Sequence, residues 1–348
     1  MLFVLSTAAA VVIASPPRVV ETRQVEVTQT VTLHDIPTGS NEVRLWVPVP
    51  SDAPWQRVLD LEVVSAPGEW QLVKQAEGCG DFVYTALRNP KLDTASVVVR
   101  YTAQREGVYT SLDGSVDVEA IQAKSFADDL DRSAPLMEVS AEVQTMADQA
   151  CGDETDVSLQ SLLLLKKVAE VADHYSKDPT KPTCGRGAAS DCIDNGGGCC
   201  TDLHSLFISM ARARDIPARM QYGYRLLDGR EGKEFDPGYR CWVEYFVPGS
   251  GWVPTDVVAA DNAGEENPHQ WASLSATRIW LWEGRSFALT PENASGPVDT
   301  MICGWAEIDG KAIDPLPADD GTPSKLGRTV SFKILDVERQ DATASLPN

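Results

Sequence analysis

The sequence predicts an α+β protein in which a β-sandwich precedes a mixed helix-and-sheet domain. Three observations carry that prediction. Apolar and polar residues alternate in several short runs between Arg23 and Tyr101, the period-2 signature of half-buried strands. Leu203, Leu206, Phe207, Met210 and Ala211 recur at i, i+3, i+4, i+7 and i+8, the buried stripe of a helix. Two further runs, Tyr239 to Val247 and Trp252 to Asp256, flank a Pro-Gly-Ser-Gly turn and read as a hairpin.

Taken in order, the chain opens on MLFVLSTAAAVVIAS, residues 1–15. This uncharged apolar run has signal-peptide length and small residues before Ser15, so export is expected. An uncleaved anchor is the alternative, and the only route to a membrane. Residues 20–105 are expected to form the sandwich. Val43, Leu45, Val47 and Val49 alternate cleanly, and Pro37-Thr38-Gly39-Ser40 and Asn89-Pro90 mark turns. Trp46, Trp55 and Trp70 are expected as core or interface residues, since large aromatics are usually well buried. Residues 106–134 read as a connector. Helices follow over Glu138 to Asp148 and over Leu159 to Tyr175, the second opening after Ser158. Asp178 to Gly198 reads as a long loop, and 316–348 as a final strand and disordered tail.

Composition narrows the function classes. The chain has 348 residues, 43% of them hydrophobic, with a formal net charge of −21. Such an acidic surface disfavours nucleic acid and anionic membranes as partners. Eight cysteines fit an oxidising compartment. With Cys200 and Cys241 set aside as thiols, six (Cys79, Cys151, Cys184, Cys192, Cys199 and Cys303) are expected to favour disulfides. Cys184, Cys192 and Cys199 show no CxxC ligand pair, so neither a metal nor another cofactor is expected.

The chemistry points to one stretch. Gly196-Gly197-Gly198-Cys199-Cys200 delivers a cysteine to the start of the helix that ends at Ile216-Pro217. Aligned peptide dipoles at a helix N-terminus favour a thiolate, so Cys200 reads as a nucleophile. Gly198-Cys199-Cys200-Thr201-Asp202, Ile216-Pro217-Ala218-Arg219, Trp242 with Glu244, and Gly251-Trp252 with Asp256 follow in order. Together these elements resemble the transglutaminase-like superfamily, whose papain-type thiol fold carries Cys, His and Asp in that chain order. The resemblance implies a domain over residues 135–315, with Cys200 as nucleophile and Asp256 as the residue that orients the base. The implied reaction is attack on a glutaminyl or other amide carbonyl, followed by acyl transfer to an amine or water. Arg219 is expected to be ion-paired, and Trp242 and Trp252 to be largely buried.

The chain departs from the family pattern at the position of the general base, which is Arg240. A guanidinium stays protonated and cannot take the thiol proton. Cys184-Gly185-Arg186-Gly187-Ala188 also lacks the Trp and Asp that the family often has upstream. Of the four histidines, His34 belongs to the sandwich and His174 to a preceding helix. His204 lies one helical turn after Cys200 and is expected in a structural role, and His269 lies in an Asn-Pro-His stretch; replacement of the base by either is the alternative. Three functions stay open. The first is a degenerate thiol-fold protein that binds an extracellular polypeptide or cell-wall-like ligand. The second is a weak cysteine amidase or acyl transferase using Cys200 with Arg240 or His204. The third is a structural envelope module. Neither substrate identity nor oligomeric state is legible.

Overall fold

In a computed structural model, the described residues are 16–74, 80–112, 121, 123–183, 186–238, 240–263, 271–299, 301, 303–316 and 322–340. The N-terminal signal-like segment, Cys79, Cys184, His269 and most of the expected disordered tail lie outside them.

The alternating runs form two antiparallel sheets. One joins β1 (Arg18–Leu33), β3 (Gln56–Ser65) and β6 (Ala95–Tyr109), with β1 and β3 both paired to β6. The other joins β2 (Glu42–Val49), β4 (Trp70–Lys74) and β5 (Asp81–Arg88) in the order β2-β5-β4. Val27, Leu33, Val43, Val47, Val97 and Val99 are buried between them. Trp46 is buried as expected, whereas Trp70 is 47% exposed on its sheet-edge strand.

The sandwich does not end at residue 105. Strand β14 (Trp305–Ile308) pairs with β2, β15 (Lys311–Ile313) pairs with β14, and β16 (Leu326–Arg339) pairs with β1 along its length. The last residues of the expected 135–315 domain therefore extend the sandwich instead. Strand pairing across such sequence distances leaves no local pattern to read.

Between these segments lies the second layer system. Helix α1 (Ala141–Cys151) starts at the Ser140 cap, and α2 (Val157–Val171) starts at Asp156 rather than Ser158. The Asp156 carboxylate accepts the Leu159 N–H at 2.9 Å, satisfying a donor that a helix start leaves free. Within the expected long loop, α3 (Ala189–Asn195) forms before α4 (Cys200–Ala213). Helix α4 is buried along nearly all its length and packs on the sheet β11-β10-β9-β13. Its strands are β9 (Ala218–Arg225), β10 (Arg240–Val247), β11 (Gly251–Thr255) and β13 (Arg278–Glu283). Phe207 meets Tyr245 edge-on across that interface, ring centres 5.8 Å apart.

Gln56 ties the two halves. Its amide donates to the Trp280 carbonyl and accepts the Trp280 N–H, both at 2.9 Å. Arg219 pairs with Glu244 at 2.7 Å and stacks over Trp252, 3.9 Å from the ring centre. Trp242 is buried, but Trp252 is only half-buried, because the Arg219 guanidinium rather than protein core covers its face.

Candidate active site

The glycine run does steric work before it delivers the cysteine. Residues Asp173–His174 (β7) pair in parallel with Gly197–Gly198 (β8). A Cβ on Gly197 would stand 2.0 Å from the Asp173 carbonyl oxygen, and its φ of +139° disfavours any other residue. A Cβ on Gly198 would stand 2.5 Å from Asp202 Oδ2. That carboxylate instead accepts the Cys199 N–H at 2.8 Å and caps the first turn of α4.

Cys200, Arg240 and Asp256 line one cavity of about 790 Å³, together with His174 and Arg278. Cys200 is the first residue of α4 and half-buried, in touch with the side chains of Cys199 and Cys241. The Cys199 hydrogen bond works to lower its thiol, but the Cys241 bond and burial prevail and push it above the ordinary thiol range. A helix N-terminus favours a thiolate at Cys200, but the Cys241 contact and burial outweigh it.

His204 is fully buried. Its Nε2 accepts the Val257 N–H at 3.0 Å, which leaves the ring proton on Nδ1, 3.1 Å from Cys241 Sγ. It therefore serves Cys241 and the start of α5 (Val257–Ala263).

Asp256 caps that same start: its Oδ1 accepts the Val258 and Ala259 N–H groups at 3.0 and 3.1 Å. The other oxygen is ion-paired with Arg278, and His204 Nε2 lies 3.5 Å from Oδ1. Burial works to raise this carboxyl, but the Arg278 guanidinium and the α5 amide hold it well below the usual carboxylate range. Arg240 opens β10, opposite Gly223, with its side chain exposed at the cavity.

Sequence reasoning passed over two cavity residues. His174 was assigned to a helix, yet it sits on β7 beside Gly198 and lines the cavity. Its Nδ1 accepts the Ser176 N–H at 3.2 Å. Burial, then repulsion from Arg240, lowers its pKa below the ordinary imidazole value. Arg278 has no local sequence signal, because its hold on Asp256 needs β13 to come alongside β9. Arg285 carries a further link, donating to the Gly187 carbonyl and, at 3.0 Å, to Ser205 Oγ. It thereby clasps the loop before α3 to α4.

The disulfides expected from the cysteine count do not form among the described residues: Cys151, Cys192, Cys199, Cys200, Cys241 and Cys303 are all free thiols. Most are buried in apolar packing, where cysteine behaves as a small hydrophobe.

Several known proteins are similar to this chain. Residues 147–257 match the family model of the transglutaminase-like superfamily core. A crystal structure from Cytophaga hutchinsonii, provisionally described as a cysteine protease, superposes with a TM-score of 0.60 at 18% identity. That match covers 92% of this chain and 93% of the other. The periplasmic domain of TgpA from Pseudomonas aeruginosa aligns at 14% identity over 76% of this chain and 99% of that one, with a TM-score of 0.36. An uncharacterized protein of Haemophilus influenzae is 27% identical over 338 residues, 85% of this chain and 88% of its own. Residues 147–257 thus resemble a transglutaminase-like core, in a chain that shares its fold with a papain-type structure and threads that core between the strands of a β-sandwich.

Proposed function

We propose that this protein binds an exported polypeptide or cell-wall-like peptide in the Cys200 cavity and turns it over little or not at all. The observation that carries this reading is the Arg278–Asp256 ion pair beside Arg240. The residue in the base position cannot accept a proton, and the acid that would orient a base is engaged elsewhere. A thiol raised above its ordinary range, as Cys200 is, needs a base before it can attack. The apolar run at residues 1–15 supports export.

The test is an amide-turnover assay of the wild-type protein with glutaminyl and peptide amides, alongside Cys200→Ala. Binding without Cys200-dependent release of amine is the expected result. Turnover above ~1 s⁻¹, within the ordinary enzyme range, and lost in Cys200→Ala, would refute it.

A second reading, a slow cysteine amidase, rests on His174, whose imidazole, its pKa lowered by burial, shares the cavity with Cys200. If His174 accepts the thiol proton, His174→Gln abolishes any residual turnover, and the wild-type rate falls as pH drops below the His174 pKa.

A further inference from the structure

The cavity beside Cys200 has a charge that the chain as a whole does not. In a protein of net charge −21, four arginines line it, Arg225, Arg240, Arg278 and Arg328, against two aspartates, Asp236 and Asp256. Arg278 answers Asp256. Asp236 is exposed, and its Oδ1 accepts the Gly238 N–H at 2.8 Å.

Arg328 is the residue that calls for a ligand. It comes from β16, paired opposite Val31 in the sandwich, and is only 4% exposed. One of its nitrogens donates to the Gly238 carbonyl and its guanidinium lies over Tyr224. Its Nε and Nη1 are buried with no hydrogen-bond partner, as is Nη1 of Arg278, itself 5% exposed. A buried donor without an acceptor costs on the order of 1–3 kcal/mol, more when charged, so two such guanidiniums on one cavity wall are a standing demand for an anion. Burial, and then repulsion from Arg278, also lowers Arg225 below the ordinary guanidinium value, and burial lowers Arg328 in the same direction.

We propose that this wall is a carboxylate subsite, and that the ligand is a peptide presenting a free carboxylate to Arg328 and Arg278 while its backbone runs past Cys200. The proposal rests on the binding reading above for the peptide character of the ligand, and adds the group that is recognised. A bare inorganic oxyanion would satisfy the same donors. The cavity is far larger than such an ion needs, and Val258, Leu316 and Leu326 give it apolar walls, which suit a side chain next to the charged end. Oxyanion recognition by arginine is the chemistry that guanidinium geometry favours.

The test titrates the full chain calorimetrically with N-acetyl-alanyl-alanine, with its C-terminal amide, and with inorganic phosphate. The free acid is expected to bind at least about tenfold more tightly than the amide, a difference of ~1.4 kcal/mol. Arg328→Gln is expected to bring the acid down to the affinity of the amide without changing the amide. Should Arg328→Gln fail to fold, the wild-type acid-to-amide ratio decides, with Arg225→Gln on an exposed position as the second variant, expected to weaken the acid alone. Equal binding of acid and amide overturns the subsite and leaves the peptide-binding reading in place. Phosphate binding without either peptide assigns the wall to an inorganic anion, and no binding of any probe up to ~10 mM, where affinities are weaker than about 3 kcal/mol, overturns it as well. Cys200-dependent hydrolysis of the acid with the preference intact keeps the subsite and removes the non-turnover reading.

Discussion

Arg278 holds the carboxylate of Asp256, and the same carboxylate caps α5 through the Val258 and Ala259 amides. Its oxygens are thus committed on both sides before any imidazole approaches. Restoring a base by Arg240→His should therefore recover only part of a triad. Amide turnover is expected to rise about tenfold, ~1.4 kcal/mol of barrier, and to vanish when Cys200→Ala is added. That is short of the ~10²–10⁴ a general base usually contributes. A gain beyond ~10³ would mean that Arg278 does not compete for Asp256.

The Cys200 thiol is pushed up by Cys241 and burial against the opposing Cys199 hydrogen bond. Iodoacetamide should alkylate it at pH 7 at least about tenfold more slowly than a free cysteine of pKa ~8.5, with the rate still climbing past pH 9. Mass spectrometry of the labelled peptide, with Cys200→Ala as control, reads this directly. Fast stoichiometric labelling at neutral pH would contradict it.

Glu283 offers a pH test remote from the thiol. Burial raises its carboxyl to about 7, with Glu244 adding to the rise and Arg219 and Gln221 opposing it. A folded-state pKa above the unfolded one contributes stability that is complete below pH ~4.5 and is lost as pH climbs to about 7. The difference between wild type and Glu283→Gln in urea unfolding should therefore change across that window by no more than ~3 kcal/mol. Comparing the two proteins cancels the opposite slope from His174, whose lowered pKa costs stability as pH falls below ~6.5. A difference that stays flat from pH 4.5 to 7 would exclude an elevated Glu283.

Gly197→Ala should be among the most damaging single-atom-group additions in the chain. The new Cβ meets the Asp173 carbonyl at 2.0 Å in a backbone conformation only glycine adopts readily. A loss of roughly 2–4 kcal/mol is expected, and with it weaker binding at the cavity, since His174 lies on the displaced strand. Wild-type stability in thermal melts would show that the β7–β8 contact yields cheaply.

The legible parts of the molecule were those with a short period. The alternation at Val43 to Val49, the stripe from Leu203 to Ala211 and the Pro-Gly turn each sit within a few residues, and each became the expected element. Cys200 and Asp256 were legible because the elements that carry them are local. His174, Arg278 and Arg328 were not, because each reaches the cavity only through a strand pairing made far along the chain. Trp252 and Trp70 show the limit of composition. A large aromatic can be covered by one guanidinium, or left at a sheet edge, as readily as buried. The cysteine count misled for a related reason: among the described residues, Cys151, Cys192, Cys199 and Cys303, counted as bridge partners, are buried free thiols.

The pairing of β1 with β16 joins residues as far apart as Glu21 and Arg339, 318 positions along the chain. Contacts of that span are slow to form, because the intervening loop must close before they are rewarded. The family core at residues 147–257 contains Cys200 and Asp256 but neither Arg278 nor Arg328. During refolding, the thiol should thus be sheltered by α4 and its sheet well before the cationic wall arrives on β16. In a pulse-labelled hydrogen-exchange experiment, the β9 and β10 amides should be protected ahead of those around Arg328. The cavity beside Cys200 is then a late product of folding, closed by the meeting of the two most distant strands.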